Sequence, residues 1–293
     1  MIKKSFSYIG ISFLNFLSLL PLSVLYQFAA FGYILLYRIF GYRKAVVRQN
    51  LINSFPGKSA KEILKIERTF FRYFANLIFE VIKLRSISDK ELEKRVKFNN
   101  LHLITDYFDR GQSILACTGH YGNWELGMMA LGRKIPGKAY VIYKPLSNNS
   151  FDKWFYDIRT KSGNLFIPMR QTLRQVAATR NQTTMFCFAG DQTPVKDEAR
   201  FWINFLNQPT PVLIGMEKIA MQTDRPVIYF NMRHVKRGYY EVDCHLICEK
   251  PSETRENEIT KATFSFLEQI INTAPAYWLW SHRRWKHKPE NAG

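Results

Sequence analysis

Apolar and polar positions divide this chain into two unlike parts. Residues 5 to 37 contain no Asp, Glu, Lys or Arg, a run longer than the roughly 20 residues a helix needs to cross a bilayer. Pro21 interrupts it, and proline is best placed in a first helical turn. The pattern therefore predicts a first helix over Tyr8 to Leu20, too short to span alone, and a second from Pro21 through Leu36. Two geometries follow: one long kinked span, or a helical hairpin dipping into one leaflet. From about residue 40 the pattern changes. Ser59 followed by Glu62 predicts a capping box, and Ile63, Ile66, Phe70, Phe74, Leu77 and Val81 recur at helical spacing.

From Ser113 short apolar runs alternate with helical segments. Strands are predicted at Ile114 to Thr118, Ala139 to Tyr143, Leu165 to Ile167 and Thr184 to Phe188. Helices are predicted at Glu125 to Leu131, Phe151 to Lys161, Thr172 to Thr179 and Val212 to Gln222. Such alternation implies a largely parallel sheet covered on both faces. Val227 to Arg233 and Tyr239 to Cys248 flank Lys236-Arg237-Gly238, a hairpin signal, so the later sheet is mixed. Arg255 to Ile271 closes the chain as a helix. The expected fold is a single α/β domain with a mixed, largely parallel central sheet flanked by helices, residues 41–293. An N-terminal hydrophobic membrane anchor, residues 1–40, precedes it.

Charge sharpens the anchor reading. Lys3 and Lys4 precede the apolar run, while Arg38, Arg43, Lys44 and Arg48 follow it, a bias that keeps the downstream chain cytoplasmic. A cleaved signal peptide is the rival, but the run outlasts a signal core and no small-x-small site ends it. A buried pair of core helices is the other rival; Tyr26, Tyr33, Tyr37 and Tyr42 are instead spread where interface anchors serve. The formal net charge of +18 calls for an anionic partner: nucleic acid, anionic lipid or an acidic protein. Cys117, Cys187, Cys244 and Cys248 lack zinc-finger spacing and suit a reducing compartment, so no metal is expected.

The candidate chemistry begins at Gly119-His120-Tyr121-Gly122-Asn123-Trp124-Glu125, directly after the run Ile114 to Cys117. Five residues turn about 500° in an ideal helix, which points two side chains about 140° apart. His120 and Glu125 meet only if His120 lies on a loop and Glu125 on a first helical turn. A histidine base oriented by a carboxylate, with no paired Ser or Cys, suits deprotonation of a substrate hydroxyl. The structural alternative is a turn histidine with Glu125 complementing a helix N-terminus. Lys144 ends a second strand, Arg159 closes a helix, and Asp191 ends a third strand. In an α/β sheet ligands gather at carboxyl ends of strands, so His120, Lys144 and Asp191 are expected on one edge. The tail Trp278 to Lys288 mixes aromatic and cationic residues, a pattern that stacks bases and binds phosphates or lies among anionic headgroups.

Taken in order, these features resemble the bacterial lipid A late-acyltransferase family, within the lysophospholipid acyltransferase superfamily. The resemblance runs through the Leu-Pro break, Gly41-Tyr42-Arg43, Asn50-Leu51, Phe55-Pro56, the H-x4-E signature at His120 and Glu125, Tyr143-Lys144-Pro145, Arg159, Asp191 and Trp280 to Lys286. It implies an O-acyltransferase with a His–Glu general-base dyad, His120 as base and Glu125 as its orienting partner. The donor it implies is a thioester on acyl carrier protein and the acceptor a hydroxyl of a lipid A precursor, at the inner membrane, with no cofactor and no covalent acyl-enzyme. Arg159, Asp191, Lys144 and Asn123 are the expected substrate-binding residues. The family often carries Arg where Lys144 stands, so a bidentate contact is lost there. Acylation of another glycolipid or aminolipid is the enzymatic alternative; a membrane-tethered nucleic-acid binder is the non-enzymatic one.

Overall fold

The computed structural model describes residues 2–289. In chain order the helices before the first strand are α1 (Ile2–Leu19), α2 (Leu22–Tyr33), α3 (Lys44–Ser54), α4 (Ala60–Lys83) and α5 (Asp89–Arg95). Strand β1 (Val96–Asn99) and α6 (His102–Asp109) follow. The alternating region is β2 (Ile114–Thr118), α7 (Trp124–Leu131), β3 (Lys138–Tyr143), α8 (Asn149–Arg159), β4 (Leu165–Pro168), α9 (Thr172–Ala178) and β5 (Thr184–Ala189). Then come β6 (Phe201–Phe205), β7 (Gln208–Val212), α10 (Gly215–Thr223), β8 (Val227–Lys236), β9 (Tyr239–Cys248) and α11 (Glu258–Thr273).

Seven strands form one sheet in the order β1-β9-β8-β2-β5-β3-β4. All neighbours are parallel except β8 and β9, the predicted hairpin. Each strand alternates its side chains between two apolar layers. On β2, Leu115 and Cys117 face α9, α10 and α11 through Val176, Ile219 and Ile271. Ile114 and Ala116 face α6, α7 and α8 through Ile104, Met129 and Trp154. The sheet is therefore covered on both sides, as a parallel sheet must be.

The predicted strands match within three residues at every end. Val212, expected to open a helix, instead ends β7. The hairpin β6–β7 forms a separate two-stranded sheet, which the Pro209 and Pro211 positions obscured, since proline demotes a strand pattern. The short strand β1, Val-Lys-Phe-Asn, alternates over only four residues, too few to stand out beside the charged helix α5 that precedes it.

The apolar N-terminus forms two helices broken at Pro21, and α2 runs on as a π-helical turn, Ile34–Ile39. Both lie along the domain. Leu25 and Ala29 are buried, with α2 packed on α4, and α1 packs on α4 and α8. Polar contacts fix the docking: Trp154 Nε1 donates to Asn15 Oδ1 at 2.8 Å. Lys83 Nζ donates to the carbonyls of Ser18 and Leu20 at 2.8 and 3.0 Å, groups a helix end leaves open. The outward face stays apolar, with Ile9, Phe13, Phe16, Leu19, Phe31, Ile39 and Phe40 all exposed. The stretch Leu22–Ile39 is long and apolar enough to cross a bilayer. The capping box at α4 is present as predicted.

Candidate active site

Register builds the centre of the site. Thr118 at the end of β2 pairs with Ala189 at the end of β5. His120 and Asp191 each stand two residues beyond that pair, so parallel pairing carries both to the same height above the sheet edge. His120 Nδ1 lies 2.6 Å from Asp191 Oδ1, and the His120 backbone N–H donates to Asp191 Oδ2 at 2.8 Å. The indole N–H of Trp278 donates to the same Oδ2 at 2.8 Å. Asp191 is 3% exposed and the His120 side chain 17%, so the carboxylate is sealed while the imidazole keeps one open side. With Nδ1 engaged, Nε2 is the ring nitrogen left for a substrate.

The electrostatics follow from this arrangement. Burial alone pushes the His120 imidazole toward its neutral form. The Asp191 carboxylate outweighs it, and the ring's pKa lies above the ordinary histidine value. Burial likewise opposes the charge on Asp191, yet His120 and the indole and backbone donors hold its pKa down at about 2. The pair is thus an ionised carboxylate facing a basic imidazole.

The expected partner of His120 is corrected. Glu125 stands on the first turn of α7, as predicted, but both of its oxygens engage Arg159. Arg159 Nε donates to Glu125 Oε2 at 2.8 Å, and Nη2 bonds Oε1. The fork of a guanidinium matches a carboxylate better than an imidazole does, and Arg159 reaches Glu125 along α8 over the rings of Phe155 and Phe166. Glu125 and Arg159 still act on His120 through charge, the first raising its pKa and the second lowering it. A His–Glu hydrogen-bonded dyad is replaced by a His–Asp pair beside a Glu–Arg pair.

Asn123 also departs from expectation. It is fully buried: its Oδ1 accepts from the Leu126 N–H at 3.0 Å, capping α7, and its Nδ2 donates to Glu80 at 2.8 Å. Both ends of the amide are engaged within the protein and the side chain is buried away from solvent. Glu80 also accepts from Tyr240 at 2.7 Å and from Tyr26, on α2, at 3.0 Å. Burial pushes the Glu80 carboxyl up and these three donors pull against it. A polar link thereby joins the apolar hairpin to the turn that carries His120. Lys144 is exposed at the end of β3, on the expected edge. The Gly122 N–H donates to Tyr277 O at 3.0 Å. Gly122 itself has φ +60 and its Cα faces Met232, so only glycine fits that turn.

The tryptophans of the aromatic-basic tail do not form a surface, although Arg283, Lys286 and Lys288 are exposed. Trp278, Trp280, Trp285 and Arg284 are all buried. Tyr121 and Trp278 form an antiparallel bridge, and the Leu279 N–H donates to His120 O at 3.0 Å. Arg43 donates to Ser281 O at 2.9 Å; Asn50 donates to Trp280 O and His282 O at 2.9 and 3.0 Å. The tail therefore straps the His120 turn from behind, which excludes it as a base-stacking platform. Trp278 is the functional residue that sequence reasoning missed in role. Glu80 was missed altogether, although a carboxylate three residues after Leu77 on an apolar helical stripe was a visible signal. No thiol competes as nucleophile here: burial pushes Cys117 up to about 12.

With this geometry in view, comparison with known proteins is decisive. Residues 1–287 match the family model described as bacterial lipid A biosynthesis acyltransferase. The chain belongs to this acyltransferase family. Among its relatives, the lipid A biosynthesis lauroyltransferase of Escherichia coli (strain K12) is 23% identical over 287 residues, covering 97% of this chain and 92% of the relative. The lipid A biosynthesis palmitoleoyltransferase of the same strain is 23% identical over 250 residues, 84% of this chain and 80% of that protein. A lipid A biosynthesis acyltransferase of Haemophilus influenzae (strain ATCC 51907 / DSM 11121 / KW20 / Rd) is 22% identical over 287 residues, 97% and 91% of the two chains.

Proposed function

We propose that this protein moves a fatty acyl group from a thioester on acyl carrier protein to a hydroxyl of a lipid A precursor, with the acidic carrier matched to the basic chain. The observation that carries the mechanism is the His120–Asp191 contact with Nε2 left open. His120 Nε2 takes the hydroxyl proton as the acceptor oxygen bonds to the thioester carbonyl carbon. Asp191 stabilises the imidazolium that forms. The tetrahedral intermediate collapses, the carbon–sulfur bond breaks, and the proton passes from His120 to the departing thiolate. Arg159, oriented by the Glu125 fork, supplies positive charge beside the reacting carbonyl or the acceptor's anionic groups. Lys144 supplies a second cation at the rim.

The hairpin reading of the N-terminus fits this chemistry. Both α1 and α2 dock lengthwise on the catalytic domain while turning apolar side chains outward, which supports a position in one leaflet rather than across it. On this reading the site lies at the cytoplasmic surface of the inner membrane, held there by the contact of α1 and α2 with α4, and an acceptor lipid reaches His120 without leaving the bilayer.

General acid–base catalysis contributes about 10²–10⁴-fold in rate, so a folded His120→Ala variant should lose at least that much turnover. Near-normal transfer by that variant would refute the role of His120. Mass spectrometry of lipids from cells with and without the protein tests the acceptor: a missing acyl chain on lipid A is the expected result, and an unchanged lipid A with another glycolipid altered would move the acceptor elsewhere.

A further inference from the structure

Glu80 is a buried acid that the transfer chemistry does not use, and it stands where an acid is costly. It is 4% exposed and lies in the last turn of α4, where the helix dipole disfavours negative charge. Among the described residues no ion pair offsets its burial: Arg95, the cation that acts on it by charge, is itself held by Glu91 and by Gly238 O. Three neutral donors meet it instead. Oε2 accepts from Asn123 Nδ2 at 2.8 Å and from Tyr240 OH at 2.7 Å, while Oε1 accepts from Tyr26 OH at 3.0 Å. A leucine or glutamine would fill the place at a lower desolvation cost, so packing alone does not account for the acid.

The place of Asn123 does. It stands three residues after His120 and two before Glu125. Its backbone, at φ −94 and ψ 75, is not helical, and its Oδ1 accepts from the Leu126 N–H to start α7. An amide has one accepting and one donating end. Glu80 Oε2 offers Asn123 an acceptor, so it takes the Nδ2 end and leaves Oδ1 to the helix; the amide turned over would set Nδ2 against the Leu126 N–H. The His120 half of the turn is pinned by other groups. Asp191 holds the His120 N–H, the Leu279 N–H holds His120 O, and Tyr277 O holds the Gly122 N–H. The Asn123–Glu80 bond pins the other half, from which Glu125 reaches Arg159.

We propose that Glu80 is a positioning residue for acyl transfer: by fixing the Asn123 amide it sets where α7 begins, and so where the Glu125–Arg159 pair stands relative to His120. The inference rests on the acyl-transfer reading above. Glu80 touches no reacting atom and acts through one side chain. Tyr26 bonds its other oxygen, so loss of the hairpin's donor leaves the Asn123 contact in place.

The test exchanges the two groups. In Glu80→Gln/Asn123→Asp the carboxylate and the amide trade places: the new amide donates to the new carboxylate, which still caps α7, as Asp does well, and one negative charge remains. Full-length protein in lipid nanodiscs is given a lipid A precursor and an acyl thioester of acyl carrier protein, and kcat, KM and melting temperature are measured. Glu80→Gln alone and Asn123→Asp alone should each lower kcat by about tenfold to a hundredfold, the scale of a small misplacement of reacting groups, with KM little changed. The double variant should recover most of that kcat, as coupled neighbours do. Tyr26→Phe should lower the melting temperature and leave kcat unchanged. As a readout independent of turnover, carbethoxylation of His120, followed by peptide mass spectrometry, should quicken in each single variant as the turn loosens and slow again in the double variant. Single losses that multiply in the double variant, or Glu80→Gln with wild-type kcat, overturn the proposal. So does a fall in melting temperature alone, which would make Glu80 a structural tie, or a rise in KM with kcat intact, which would put it in substrate binding. Wild-type protein that consumes no thioester removes the acyl-transfer reading. The His120 labelling then decides on Glu80 by itself, and equal rates in all the variants overturn its positioning role.

Discussion

Two carboxylates approach the same histidine, and they do different work. Asp191 lies 71 residues from His120 in sequence and holds its ring directly, sealed by Trp278. Glu125 lies five residues away, on the turn that follows, and holds Arg159 instead. Nearness along the chain set the weaker relation; parallel register set the stronger one. A short turn limits which way two side chains point, whereas adjacent parallel strands bring equivalent positions side by side.

The sharpest way to break this comparison is to neutralise each carboxylate in turn. Asp191→Asn should lower turnover by about 10²–10⁴-fold. It should also move the ascending limb of the pH–rate profile to lower pH. The rate rises as His120 loses its proton, the wild-type ring titrates high because Asp191 opposes burial, and without that charge burial alone pulls it down. A limb that stays in place would break the assignment of Asp191. Arg159→Lys, which keeps the charge but loses the fork to Glu125, should cost less, about tenfold to a hundredfold, on the order of 1.4–3 kcal/mol in transition-state free energy. Its limb should move little compared with that of Asp191→Asn. Steady-state kinetics across pH check both.

Trp278→Phe sharpens the comparison at a smaller scale. It removes the indole donor to Asp191 Oδ2 and leaves a ring in the core. Asp191 then attracts the proton on His120 more strongly, so the limb should move to higher pH, opposite in sign to Asp191→Asn, with a severalfold loss at neutral pH by the worth of about 1 kcal/mol per hydrogen bond. A melting curve separates this from simple unfolding. The smallest effect is expected from Tyr26→Phe, which removes the hairpin's bond to Glu80. It should leave the pH profile alone and reduce thermal stability by about 1 kcal/mol or less net of the remaining Asn123 and Tyr240 donors, measured in the same lipid nanodiscs.

The fold was readable because its cues are local. The short apolar runs of β2 and β5, helical spacing on α4, the Ser59–Glu62 box and the Pro21 break each lie within one element. Candidate site residues were readable as strand ends, where His120, Lys144 and Asp191 do share an edge. Their partners were not. The tail composition of Trp278 to Lys288 suits a surface as well as a core, and composition carries no information on what covers it. Only folding brings Arg43 and Asn50 against Ser281 and Trp280, turning that block into the back wall of the site.

The amino-acid order alone determined an apolar N-terminus, an alternating α/β domain and a histidine at the end of a strand, because hydrophobic period and turn chemistry act over a few residues. Tertiary structure decided which acid holds that histidine, which cation answers Glu125 and where the tryptophans go. Those outcomes depend on strand order and register, which join residues that the chain keeps far apart.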